Sequence, residues 1–222
     1  FAVFIMVDPS FETVRNNGQT VRTITLKSIK NISLQERIYA ATGGDADHPI
    51  SVPVWPSDSV GSPINVGFSG VGGARHIKLV AAIGVGATEA AYKRTDNYNG
   101  KMFIVANGSS LALESIIIDG GGQNNTAVTE AIVDVSAGGQ LTLLGGSTLR
   151  NNGGRGVYNN GTVTMAGGTI SGNKSPNLAA GSATSRGGGV YNAAGATFTL
   201  SGGTVSGNWA AMGGGLYFED LA

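Results

Sequence analysis

One phrase occurs three times in the last third of the chain, as Gly154-Arg155-Gly156-Val157-Tyr158-Asn159, Gly188-Gly189-Val190-Tyr191-Asn192 and Gly214-Gly215-Leu216-Tyr217-Phe218. A second phrase alternates with it. Gly167-Gly168-Thr169-Ile170-Ser171-Gly172-Asn173 returns as Gly202-Gly203-Thr204-Val205-Ser206-Gly207-Asn208 and, loosely, as Gly145-Gly146-Ser147-Thr148-Leu149-Arg150-Asn151-Asn152. Recurrence at roughly 20 to 50 residues restricts a chain to a solenoid or a propeller, because each unit can bury its apolar face only against its neighbours. Two alternating phrases imply at least two strands per unit.

Aligning the repeats places apolar residues in columns. Phe103, Val133, Val157, Val190 and Leu216 form one. Leu111, Leu141, Val163 and Phe198 form a second, with Leu113, Leu143, Met165 and Leu200 two residues later on the same strand face. Ile118, Leu149, Ile170 and Val205 form a third. Three inward columns mean three short strands per turn, and the uneven repeat length argues against a propeller blade. The expected fold is an all-β parallel β-helix, each turn pairing with the next at about 4.8 Å. Of the 37 glycines, 26 lie in residues 101–222. A Gly-Gly pair before each third strand supplies the positive φ that a sharp corner requires. Lys174 to Arg186 reads as a polar loop leaving one corner.

The earlier part is less regular. Thr20 to Lys27 alternates as a half-buried strand, with Ile24 and Leu26 toward the core. Asn31 to Leu34 and Arg37 to Ala40 are read as two further short strands. The proline-rich stretch 43–73 reads as a long excursion without an element. Strands are expected again at His76 to Ala81 and Ala91 to Arg94, with a short helix over 87–94 as the alternative at the latter. Residues 1–75 are accordingly assigned to an irregular N-terminal capping region and 76–222 to the repeat.

The run from Phe103-Ile104-Val105 through Leu111-Ala112-Leu113-Glu114 to Ile118-Asp119-Gly120, followed by the two glycine phrases, resembles secreted right-handed β-helix repeat proteins of bacteria. Similar repeats occur in adhesin-like proteins and, more distantly, in chlamydial polymorphic outer-membrane proteins of the pectin-lyase-like class. The resemblance covers residues 76–222. It implies a right-handed coil and an extracellular or cell-surface location.

Charge and residue chemistry then narrow the function. The 14 basic and 14 acidic side chains cancel, leaving no electrostatic footprint for nucleic acid. The absence of cysteine removes disulfides and thiolate chemistry together. No apolar run reaches the roughly 18 residues of a membrane-spanning helix. An enzyme of the pectin-lyase-like kind, the alternative function as a polysaccharide lyase or hydrolase, needs clustered acids on one face. After Gly100 the acids are Glu114, Asp119, Glu130, Asp134, Glu219 and Asp220, without a histidine. Asp119, Asp134, Arg150 and Arg155 are the one conceivable cluster. Asp45-Ala46-Asp47-His48 reads as a solvated loop, and neither cofactor nor metal is expected. Paired T-x-T triplets at Thr162-Val163-Thr164 and Thr197-Phe198-Thr199 span too few turns for an ice-binding face and reflect the strand preference of threonine.

If the valine of each V-Y-N phrase points inward, Tyr158, Tyr191 and Tyr217 point outward in one column. These are the candidate ligand-binding residues, able to meet a sugar ring, although an aromatic ladder that only stabilises the sheet is the simpler account. Asn152, Asn173 and Asn208 also align, as a corner amide ladder. The expected function is a noncatalytic structural or adhesive segment of a larger bacterial surface or secreted protein, with host or environmental glycans or surface proteins as partners. The last turn, with Phe198, Leu200 and Val205, is expected to present an open end, to self-associate there and to continue in a longer parent chain.

Overall fold

The computed structural model describes residues 12–16, 19–23, 33–55, 58–67, 73–82, 91–122, 125–175 and 185–220. The chain divides into two compact units, Phe1–Ser33 and Leu34–Ala222. In the first, β1 (Glu12–Asn16) and β2 (Gln19–Thr23) pair antiparallel, with Val14 opposite Val21. The strand expected over Thr20 to Lys27 is thus present through Thr23; Ile24 and Leu26 lie outside the described residues.

The second unit opens with α1 (Leu34–Ala40) and is otherwise built of strands. These are β3 (Ile50–Val54), β4 (Ser59–Val60), β5 (Ile64–Val66), β6 (His76–Ala81), β7 (Ala91–Arg94), β8 (Phe103–Val105), β9 (Ser110–Glu114), β10 (Ile117–Asp119), β11 (Val133–Val135), β12 (Gln140–Leu143), β13 (Thr148–Arg150), β14 (Val157–Asn159), β15 (Thr162–Ser171), β16 (Val190–Asn192), β17 (Thr197–Ser206) and β18 (Leu216–Phe218). All their pairings are parallel. One row runs β3, β6, β9, β12 and the first halves of β15 and β17. A second runs β4, β7, β10, β13 and the second halves of β15 and β17. The third is the six-stranded sheet β5, β8, β11, β14, β16, β18. The chain visits the rows in this fixed order, round after round. Because β15 pairs with β12 and then with β13, the first two rows join into one ten-stranded sheet that turns a corner.

Every apolar column aligned above is a row of directly paired residues. Phe103, Val133, Val157, Val190 and Leu216 face one another in successive strands. So do Leu111, Leu141, Val163 and Phe198, and Ile118, Leu149, Ile170 and Val205. The structure extends the columns backward, adding Ile64, Ile77 with Ile50, and Tyr92. Most of these side chains are fully buried and form one continuous core. At the β17–β18 edge burial lapses: Leu200 and Phe218 are about half exposed.

The corner between the first two rows shows why glycine is needed there. Gly146, Gly168 and Gly203 have φ of 73°, 76° and 90°. A Cβ on Gly168 would sit 2.3 Å from Ser147 Oγ. One round earlier Ser115 holds the place with φ of 50°, a conformation that costs a residue with a Cβ.

Three readings of the N-terminal part are corrected. Arg37 to Ala40 was expected as a strand and lies instead in the helix Leu34–Ala40; of the strand expected over Asn31 to Leu34, residues 31 and 32 lie outside the described residues and Leu34 opens the helix. Leu34, Arg37 and Ile38, spaced by three and four, share its buried face. The stretch 43–73 is not an excursion, since it contributes β3, β4 and β5, a full first round. Parallel pairing therefore starts at Ile50, ahead of the boundary drawn at residues 75 and 76. Pro53 is accommodated because β3 is the outermost strand of its row, where a missing N–H breaks no ladder. Ala91–Arg94 is a strand and not the alternative short helix. The ends of the Lys174 to Arg186 loop are tied down by bridges to Trp209 and Met212; residues 176–184 lie outside the described residues.

Candidate functional site

The six-stranded sheet carries the side chains with the most organised chemistry. Its strands are three residues long, so the outer residues of each turn inward and the middle one outward. The outward column reads Asn65, Ile104, Asp134, Tyr158, Tyr191, Tyr217. The tyrosines stack. Ring centroids of Tyr158 and Tyr191 are 5.1 Å apart with planes 7° from parallel, and those of Tyr191 and Tyr217 are 5.5 Å apart at 19°.

Two arginines complete the strip. The Arg155 guanidinium lies 5.8 Å from the Tyr158 centroid and 5.1 Å from that of Tyr191, and Arg186 lies 5.1 Å from that of Tyr217. Cations at this distance are attracted by the ring quadrupole. Arg155 Nε also donates to the Arg186 carbonyl at 2.9 Å, tying consecutive rounds together. Arg186 Nη1 faces Glu219 at 3.7 Å, and at the other end Lys101 Nζ meets Asp134 at 2.6 Å. Burial pulls the Lys101 ammonium down, but the hydrogen bond and charge of Asp134 outweigh it, and its net shift is upward. Burial lowers Arg155, the nearby tyrosines opposing. Burial, then a hydrogen bond to Glu219, push the Tyr191 phenol up to about 12.

This arrangement alters what the tyrosines can do. Each inner ring face is already opposed to a neighbouring ring, so no pyranose can slide between them, and with Arg155 over its ring Tyr191 is only 8% exposed. What remains is the rim: hydroxyls and guanidinium edges at one-strand spacing, suited to hydrogen bonds with hydroxyls and carboxylates. Arg155 and Arg186 were not read as part of this strip from the sequence. The available signal was an arginine shortly before the tyrosine in two of the three phrases, Arg155 within the first and Arg186 just ahead of the second.

The asparagines form two ladders. At the corner after the second row, Arg94 Nη2 donates to Asn152 Oδ1 at 3.1 Å. Asn152 N donates to Asn173 Oδ1 at 3.2 Å, and Asn173 N to Asn208 Oδ1 at 3.0 Å. Their Nδ2 groups donate onward to the carbonyls of Glu130, Leu149 and Ile170. A second ladder was not foreseen. In the inward column Val66, Val105, Val135, Asn159, Asn192, the amides replace valine, and Asn159 Nδ2 donates to Asn192 Oδ1 at 2.6 Å and to the Thr197 carbonyl at 2.9 Å.

Of the four residues considered as a charged cluster, the fold brings Asp119 and Arg150 together and places Asp134 and Arg155 elsewhere. Asp119 accepts from Arg150 Nε at 2.9 Å, its partner in the second row, and from Asn151 Nδ2 at 3.3 Å and Gly121 N at 3.0 Å just past the strand ends. Asp134 pairs with Lys101 in the third row, and Arg155 belongs to the tyrosine strip. Glu114 pairs with Lys78 at 2.7 Å. Asp45 accepts from His48 N and Asp47 N in an exposed turn, as the solvated-loop reading expects. Among the described residues no group of three or more His, Cys, Asp or Glu is placed to hold a metal ion, and no helix is long and apolar enough to cross a membrane. No family model matches the chain, and comparison with curated proteins and with solved structures likewise gives no match.

Proposed function

We propose that the parallel rounds from Ile50 to Phe218 are a right-handed parallel β-helix, and that it serves as a noncatalytic structural or adhesive segment of a larger secreted or cell-surface protein. The fixed three-row order of the strands supports the coil, and the general handedness of crossovers between parallel strands supports its right-handed sense. The observation that carries the scaffold role is how the charged side chains are engaged. Asp119, Asp134 and Glu114 are each held by a cation from another round, no two of them by one another, and Arg94 is buried among carbonyls of Gly120, Gly100 and Tyr98. Groups used this way fasten one round to the next. They do not form the convergent acid pair that glycoside or uronate chemistry needs.

In this reading the rim of Tyr158, Tyr191 and Tyr217, with Arg155 and Arg186, is the contact strip for a glycan or a surface protein. The test is incubation of the intact chain with pectins, alginates and glycosaminoglycans, with and without calcium, followed by retention on the same glycans immobilised. No cleavage product is expected, and retention is expected to fall when Tyr217→Ser removes the outermost ring. A calcium-dependent unsaturated product would overturn the noncatalytic role.

A further inference from the structure

A glycine directly after an asparagine leaves its N–H open to attack on the asparagine side chain, because no Cβ shields the approach. Besides Asn17–Gly18, which lies outside the described residues, the chain has four such pairs: Asn99–Gly100, Asn107–Gly108, Asn152–Gly153 and Asn160–Gly161. The fold treats them unequally.

Three are held. Gly108 N donates to Gly138 O at 3.0 Å and Gly161 N to Asn159 Oδ1 at 2.9 Å, so both nitrogens are engaged. Asn152 is fully buried in the corner ladder, its Nδ2 donating to the carbonyls of Glu130 and Arg155, both at 2.8 Å. Asn99 differs on each count. It is exposed, and among the described residues neither its side chain nor Gly100 N makes a hydrogen bond.

We infer that Asn99 is a modification site, converting in the folded protein to aspartate and isoaspartate with water as the co-reactant. Gly100 N gives its proton to solvent base and forms a bond to Asn99 Cγ. The Cγ–Nδ2 bond breaks, and that nitrogen leaves as ammonia with a proton from water. Water then opens the five-membered imide at either carbonyl. Opening at the side-chain carbonyl gives aspartate. Opening at the main-chain carbonyl gives isoaspartate, in which the chain runs through Cβ and Cγ and is one atom longer.

The surroundings of Asn99 give the reaction a consequence. Tyr98 O and Gly100 O, on either side of it, both accept from Arg94 Nη1, while Arg94 Nε and Nη2 reach Gly120 O and Asn152 Oδ1 in later rounds. Tyr98 Oη donates to Lys101 O at 2.5 Å across the same loop. The extra chain atom falls between the two carbonyls that share one guanidinium nitrogen, so isoaspartate does not keep both at their present spacing. Arg94 is buried, and a buried donor that loses its acceptor is costly. The loop therefore carries a slow, one-way loosening of the corner where the ladder of Arg94, Asn152 and Asn173 begins.

The intact chain, aged at mildly alkaline pH and then digested for peptide mass spectrometry, tests this. Asn99 is expected to convert about tenfold or more faster than Asn107, Asn152 and Asn160, since each of those must first break a hydrogen bond. In denaturant the preference is expected to vanish. Asn99→Gln, which would have to close a six-membered ring, is expected to abolish the product at 99 and leave Tm unchanged. Gly100→Ala is unsuitable, because a Cβ there would lie 2.5 Å from Tyr98 Oη. Isoaspartyl protein, separated by ion exchange and identified by its peptide, is expected to melt below Asn99→Asp, which has the same charge and an unlengthened chain. Earlier conversion at Asn107 or Asn160, an Asn99 that stays intact in the folded chain, or the same preference in denaturant overturns the site. An isoaspartyl form as stable as Asn99→Asp overturns the loosening. None of these results bears on the scaffold reading, which polysaccharide turnover decides.

Discussion

Tyr191 shows how one outward side chain is set by its round. Its ring is held between two others, and its hydroxyl lies beside Glu219, so the neutral phenol is the favoured form. The unfolded reference is about 10. Because the folded value is raised, the stabilisation is complete below about pH 10 and is lost as pH rises through about 12. A phenolate absorbance titration should show Tyr191 ionising at least about one unit late, and Tyr191→Phe should remove one late component while those of Tyr92 and Tyr98, which burial also pushes up, remain. The inward direction of Val157 and the outward direction of Tyr158 were legible from alternation alone. The burial of Asn159 was not, because an amide ordinarily faces water; it is tolerated inside only because Asn192 and the Thr197 carbonyl satisfy it.

Among the elements, α1 is the one misread, and the signal against strands was present. Ser33-Leu34-Gln35-Glu36 has the spacing of a capping box, and Leu34 and Ile38 have the helical period. Short apolar runs are ambiguous between the two states until such flanking chemistry is weighed. The first-round strands β3, β4 and β5 were obscured for a different reason: prolines that would break a central strand are permitted at an outer one. The helix's docking on β5 gives a direct prediction. Gln35 Oε1 accepts from Asn65 N at 2.6 Å and its Nε2 donates to Asn65 O at 3.0 Å. Gln35→Ala removes both bonds to Asn65 and should cost about 1–3 kcal/mol, and in hydrogen-exchange measurements the Asn65 amide should lose protection before its neighbours do.

For the second unit as a whole, the repeat specified far more than its chemistry did. The columns of Phe103, Leu111 and Ile118 were legible because every round repeats the same inward demand, so each position was in effect read several times over. The arginine strip was not, since Arg155 and Arg186 stand at unequal distances before their tyrosines and only the fold brings them over the rings. Continuity also makes the unit vulnerable at its centre. Val163 is fully buried between Leu141 and Phe198. Val163→Asp would bury a carboxylate without a partner, at a cost of several kcal/mol, and since each round is stable only against its neighbours, calorimetry should show a fall in Tm of the entire unit.

The change from valine to asparagine along one inward column bears on how such a chain can lengthen. A duplicated round inserted between β14 and β16 would find an amide on either side of its own amide. The same round inserted between β8 and β11 would set an amide between Val105 and Val135, with no side-chain partner across the column. The column passes on from Asn192 to Phe218, so tandem duplication is accommodated between the two asparagine strands and penalised among the valine strands, and the interior itself marks where a round can be added.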